Sequence, residues 1–167
     1  MQPDGRSGVG MGSEVGSRKS EVGDRKSEVG GRKSEFVEKG DVMVIRSAKE
    51  LDVYKKAYAL SMEIFRVSKA WPVDERYSLT DQIRRSSRSV CANLREAWAK
   101  RRYEAHFLSK LSDCDGEAAE TDTWLDYAKD CGYIDKNLHK KLTTNCRSVG
   151  SMLGAMIKNP TQFLSKS

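Results

Sequence analysis

The sequence predicts an all-α protein, an antiparallel up-and-down four-helix bundle with a disordered low-complexity N-terminal tail. Three observations predict it. Apolar residues recur every three or four positions through four successive segments, which is the spacing of one helical face. No stretch alternates with period two for long enough to make a strand. Helix-ending and capping signals stand between the periodic segments, at Trp71-Pro72, Ser78, Gly132, Asp135 and Asn159-Pro160.

The first helix is expected over about 48–70, with Leu51, Tyr54, Tyr58, Met62 and Phe65 as its inward face and Trp71-Pro72 as its stop. The second spans about 78–101. Ser78 is read as its N-cap, with Asp81 three residues on, and Ile83, Ser87, Val90, Leu94, Ala97 and Trp98 as its apolar stripe. The third, about 103–130, places Phe107, Leu111, Cys114, Ala118 and Leu125 on one face and ends at Gly132, a residue suited to a left-handed C-cap. The fourth, about 135–158, opens at Asp135, carries Leu138, Leu142, Val149, Met152, Leu153 and Met156, and closes at Asn159-Pro160. Four such helices on short links pack as an up-down bundle. The longest link is Pro72 to Tyr77, and Tyr133 and Ile134 are expected to fold back onto the core from the last corner.

Of 167 residues, only 43–167 read as this bundle. Nine of the thirteen glycines lie in the first 40 residues, where SEVGSRK, SEVGDRK and SEVGGRK repeat in register from Ser13. A coiled-coil seam needs two apolar positions per seven residues. Each unit here has one valine followed at once by glycine, so residues 1–42 read as a disordered tail. Near-perfect repeats of this kind also resemble a tandem DNA repeat read in frame. The expectation is that Met43 is the native start or that the tail is dispensable, with a binding tail as the alternative.

No apolar run approaches the ~18 residues that span a bilayer, and the N-terminus has no secretory signature. The reading is a soluble, cytoplasmic protein with no membrane partner and no small-molecule substrate. Cys91, Cys114, Cys131 and Cys146 lack close C-x-x-C spacing and read as buried structural thiols. His106 and His139 have no ligand-spaced partners, so neither a metal nor another cofactor is expected. Phosphate loops, nucleophile elbows and dinucleotide fingerprints are absent. The acids of 113–117 lack the Glu-x-x-His companions of bundle metalloproteins, so no catalytic residue is assigned and the chain is not read as an enzyme.

The net charge of +6 conceals a sharper pattern. Residues 76–102 carry eight bases and two acids, residues 113–130 one base and seven acids, and the tail balances. At about 100° per residue, Arg84, Arg88, Arg95 and Arg102 fall within a stripe ~40° wide, flanking the apolar face of the second helix; Arg85 and Arg101 lie off it. Asp113, Glu117 and Glu120 form a comparable stripe on the third helix. Two readings stand side by side. The stripes can pair with each other, within a chain or between subunits, setting register and partner choice. Alternatively, the arginines form a track for phosphates, which a guanidinium grips through two oxygens. The run Lys100-Arg101-Arg102 also suits a helix C-terminus. Asn93, near the edge of the apolar face, reads as a determinant of register or subunit number.

Three blocks carry a family resemblance: Leu51-Asp52-Val53-Tyr54-Lys55, the run Ser78 to Ser86 (SLTDQIRRS), and the run Ser89 to Ala97 (SVCANLREA). With them, residues from about Leu51 to Ile157 resemble the four-helix-bundle family of 23S rRNA intervening-sequence proteins, which includes the accessory variability proteins of diversity-generating retroelements. The family commonly has Glu-Gly where this chain has Glu96-Ala97. The resemblance implies a homopentamer with a basic channel or surface, no cofactor and no catalytic residues. In the retroelement branch it implies binding to a reverse transcriptase and to nucleic acid. Gln82, Arg84, Arg85, Ser89, Asn93 and Glu96 match the family pattern. Glu96 and Asn93 are expected to organise the bundle or its interface, and Arg84, Arg85 and Arg88 to face the basic surface. The sequence thus points to a non-enzymatic oligomer that binds RNA or a nucleoprotein, with a protein–protein assembly module, such as a reverse-transcriptase accessory subunit, as the alternative.

Overall fold

A computed structural model describes residues 45–165; the repeat-bearing tail, Met43 and the last two residues lie outside the described residues. Ser47 is in extended backbone and its hydroxyl accepts from the Lys49 amide, opening a short 3-10 turn over Ala48–Glu50. Leu51 then returns to extended geometry (ψ 134°), so helix α1 begins only at Asp52 and runs to Val67, followed by a second 3-10 turn, Ser68–Ala70. The uninterrupted helix expected from residue 48 is therefore broken at Leu51. Ala48 and Leu51, on either side of the break, are both buried in the core. Trp71 is extended, as a residue before proline must be.

Ser78 is not the cap of the second helix. It lies inside a π-helical turn, Arg76–Thr80, which passes into α2 (Asp81–Lys100) without leaving helical backbone at Thr80. The Ser78 hydroxyl bonds the Glu75 carboxylate instead. Helix α3 (Glu104–Asp130) ends as expected at Gly132, whose φ of +78° is the left-handed geometry that glycine adopts without a Cβ penalty. Asp135 caps α4 (Lys136–Lys158), its carboxylate accepting from the Leu138 amide at 2.7 Å. No strand occurs among the described residues.

Cross-helix contacts run in opposite senses along each neighbouring pair, which fixes the bundle as antiparallel. On α1 and α2, Ser68 meets Arg84, Tyr54 meets Cys91, and Ser47 just ahead of α1 meets Arg95. On α2 and α3, Ser86 meets Thr121, Val90 meets Cys114 and Asn93 meets Lys110. On α3 and α4, Ala118 meets Cys146 and Asp126 meets His139. Glu63 to Lys141, at 2.6 Å, ties α1 to α4 and closes the square.

The core is a continuous cluster that includes Ile64, Ile83, Leu94, Phe107, Leu111, Leu125, Leu142 and Leu153, all fully enclosed. Each such side chain contributes about 1.5–3 kcal/mol on burial. The expected stripes of α2 and α3 are all buried; Leu138 and Met152 of α4 are partly so. On α1 the expectation was one stripe out of phase. The buried line is Val53, Ala57, Leu60, Ser61 and Ile64, while Tyr54, Met62 and Phe65 are half-buried and Tyr58 is 53% exposed. Two adjacent stripes of α1 are apolar enough to face a core. Burial falls to the one without hydroxyl-bearing rings, because a tyrosine turned outward keeps its O–H in water. Tyr133 and Ile134 do fold back: Ile134 is buried, and the Tyr133 hydroxyl donates to Glu75 at 3.0 Å.

Cys91, Cys114 and Cys146 are buried, and burial pushes their thiols up to about 11, 12 and 12 respectively. Cys131 is exposed at the α3–α4 corner, contrary to the expectation that all four are buried. No helix among the described residues is long and apolar enough to cross a membrane.

Candidate functional site

The charged stripes of the sequence land on opposite flanks of α2. On the flank facing α1, the displaced aromatic stripe of α1 lies beside the arginines. Arg84 donates through Nε to the Ser68 hydroxyl at 2.8 Å, and Arg95 donates through Nη1 to the Ser47 hydroxyl at 3.0 Å. The Arg84 and Arg88 guanidiniums sit 5.2 and 5.4 Å from the centre of the Phe65 ring, and the Lys69 ammonium 4.7 Å from it. These are cation–π distances. A shallow groove of about 580 Å³ is lined here by Phe65, Asp81, Arg84, Arg85, Arg88, Ser89 and Ala92. Asp81 is the one acid on its wall.

Among the described residues, no carboxylate lies within 4 Å of Arg84, Arg85, Arg88, Arg95, Arg101 or Arg102. Their partners are neutral hydroxyls, carbonyls and ring faces, which orient a guanidinium without cancelling its charge. Pairing of the two stripes within one chain, one of the two sequence readings, is therefore not what holds the arginines. The stripe is also shorter than its spacing suggested. Arg101 and Arg102 lie beyond the last residue of α2. Arg101 stacks 4.2 Å from the Trp98 ring and donates to the Trp98 carbonyl at 2.7 Å, closing the helix end, while Arg102 lies over Tyr103. Arg85 stands on the outer crest of α2, donating to Gln82 at 3.4 Å.

The flank of α2 facing α3 has the opposite character. Asn93, Ser112, Asp113, Gly116, Glu117 and Glu120 line a second shallow groove. Lys110 organises it: its ammonium lies 3.0 Å from both Glu96 and Asp113 and donates to the Asn93 carbonyl oxygen at 3.3 Å. Hydrogen bonds to Asp113 and then to Glu96 hold the Lys110 pKa above its ordinary value. Glu120 accepts from the Trp124 indole at 2.9 Å. Glu117 has no ion-pair partner among the described residues, and its carboxyl is pushed up, first by burial and then by Glu120, with Asp113 adding to this and Arg85 opposing it. Asn93 and Glu96 thus belong to the α2/α3 seam, joined through a lysine. Sequence reading missed Lys110 because it falls in a segment of balanced charge, and missed Ser47, Ser68 and Lys69 because hydroxyls and single lysines carry no periodic signal. Lys69, four residues after Phe65, was the one available hint.

A third concavity, an apolar recess of about 530 Å³ between the start of α1 and the end of α4, is lined by Ile45, Leu51, Val53, Met152, Met156 and Phe163 among others. Among the described residues no group of three His, Cys, Asp or Glu side chains is placed to hold a metal ion.

Fold and site together define a class: an antiparallel four-helix bundle whose second helix carries, on one flank, arginines with no ion-pair partner among the described residues and, on the other, a carboxylate seam. The model of the family described as 23S rRNA-intervening sequence protein matches residues 49–155, and the chain belongs to that family. A similar solved structure is a protein of unknown function from the S23 ribosomal protein family of Bacteroides thetaiotaomicron. It is 27% identical, covers 64% of this chain and 96% of its own, and superposes with a TM-score of 0.58. No curated protein matches the chain.

Proposed function

We propose that this protein is a non-enzymatic, cytoplasmic, oligomeric bundle that binds RNA, alone or within a nucleoprotein, through Arg84 and Arg88 in the α1/α2 groove and Arg95 farther along the same flank. The observation that carries the reading is the set of neutral partners: Ser68, Ser47 and Phe65 position the three guanidiniums while leaving their charge for an external anion. A phosphodiester suits such a row, because each guanidinium can grip two oxygens and release condensed counterions. The family description, which refers to a 23S rRNA intervening sequence, agrees with an RNA partner. The pentameric state is taken from the family resemblance.

A second reading is favoured by one observation. Glu117, without an ion-pair partner among the described residues, lies in an outward-facing carboxylate groove that could receive the arginines of a neighbouring copy or of a reverse transcriptase-like partner. A single variant separates the two readings. Replacing Arg84, Arg88 and Arg95 together by Gln is expected to abolish RNA binding while leaving the sedimentation coefficient and helical signal unchanged. For the wild type, log K should fall linearly with log salt, the three arginines contributing about 2 to that slope at ~0.7 per single-strand phosphate. Retained RNA binding overturns the assignment, and a dissociated oligomer supports the assembly reading.

A further inference from the structure

We infer that the α1/α2 groove receives a single-stranded segment of RNA, with bases against the rings of α1 and phosphates on the arginines of α2; this deepens the RNA-binding reading and rests on it. The two stripes run side by side for the same length. From Arg84 to Arg95 is eleven residues, ~16 Å of helix, enough for about five nucleotides at the ~3.4 Å rise of a stacked strand. Along the facing edge of α1, Phe65 lies under Arg84 and Arg88, while the Tyr54 backbone carbonyl accepts from Cys91 Sγ and its phenol lies within the field of Arg95. Tyr54 and Tyr58 stack with ring centres 6.3 Å apart and planes 11° from parallel, and Tyr58 is 53% exposed.

Charge alone does not choose between duplex and single strand, because both present phosphates. The rings do. A duplex keeps its bases stacked inside and meets a protein surface with phosphate and sugar, so exposed tyrosines beside the arginines would gain little from it. An unpaired strand offers base faces, and every base has a face that can stack on an aromatic side chain whatever its identity. An apolar ring stripe half-open to solvent beside a phosphate-gripping row fits the second ligand. Tyr58 is the ring best placed to take a base, being parallel to its neighbour and more than half exposed.

The test uses the full chain with two probes of equal phosphate number, a fluorescein-labelled oligouridine and a fluorescein-labelled RNA duplex, read by anisotropy across a series of salt concentrations and compared at matched salt. The wild type is expected to bind the single strand at least tenfold more tightly. Tyr58→Leu should weaken single-strand binding about fivefold to a hundredfold, the range of one lost base stack, with the salt slope and duplex affinity unchanged, and Tyr58→Phe should restore it. Equal affinity for both probes overturns the inference. So does a Tyr58→Leu protein that binds as wild type while the Arg84, Arg88 and Arg95 triple variant does not, an outcome that leaves the RNA reading standing. Failure of the wild type to bind either probe removes both.

Discussion

The two flanks of α2 are made from the same helix and reach opposite solutions for charge. Toward α3, carboxylates of both helices converge on Lys110, and below them a buried hydroxyl pair, Ser86 and Thr121 at 2.9 Å, joins the helices in the core. Toward α1, cations are held by hydroxyls and rings, with no ion-paired carboxylate among the described residues. Around Lys110 the first flank is satisfied internally and is a structural seam; Glu117, farther along it, has no ion-pair partner among the described residues. The second is left electrostatically unfinished, and that condition suits an external anion. A patch therefore reads as functional less by how many charges it holds than by whether their partners neutralise them.

The comparison breaks if the seam tolerates what the groove tolerates. The largest expected difference is between Leu111→Ala and Tyr58→Ala. The Leu111 side chain is fully enclosed, and its loss should cost about 2–5 kcal/mol in urea unfolding. The exposed Tyr58 should stay within about 0.5 kcal/mol, and equal losses would erase the distinction between core line and ring stripe. Next in size is Thr121→Val. Thr121 Oγ1 donates to the Glu117 carbonyl at 2.8 Å and is hydrogen-bonded with Ser86, which is 0% exposed. Removing it takes one partner from Ser86, whose hydroxyl keeps the Ile83 carbonyl at 3.4 Å, so the loss is that of one hydrogen bond, about 0.5–1.5 kcal/mol, measurable as a lowered denaturation midpoint with unchanged slope.

The smallest effect is pH-dependent and concerns Glu117. Its carboxyl is raised above the ordinary glutamate value in the folded chain, chiefly by burial and Glu120. For a raised pKa, the folded state binds the proton more tightly. The associated stability is complete below the ordinary value and is lost as pH rises through the folded value. Glu117→Gln removes the ionised form, so it should raise Tm at neutral pH and give no gain once pH falls below the ordinary glutamate range. A gain that persists in acid would assign the effect to packing instead of charge.

Much of this was legible along the chain. Helices α2 to α4 follow from periodicity, because a stripe at one spacing can bury on only one side. Gly132 and Asp135 mark their corner by chemistry that acts within a single turn. Arg84, Arg88 and Arg95 share a flank for the same reason. Ser78 misled because a cap signal is local, whereas the backbone there continues through a π turn that no spacing rule encodes. Cys131 misled because a cysteine just past a helix end can face either way.

The sequence by itself determined the number of helices, their order and the separation of basic from acidic surface, since all three depend on interactions within a few residues. Tertiary structure alone decided which of two apolar stripes of α1 enters the core, and hence that Tyr54, Tyr58 and Phe65 stand beside the arginines. It also decided that Lys110, and not an arginine, pairs with Glu96 and Asp113 in the α2/α3 seam. The reason is physical: hydropathy ranks a stripe only against solvent, whereas burial and ion pairing depend on what the neighbouring helix presents at the same height.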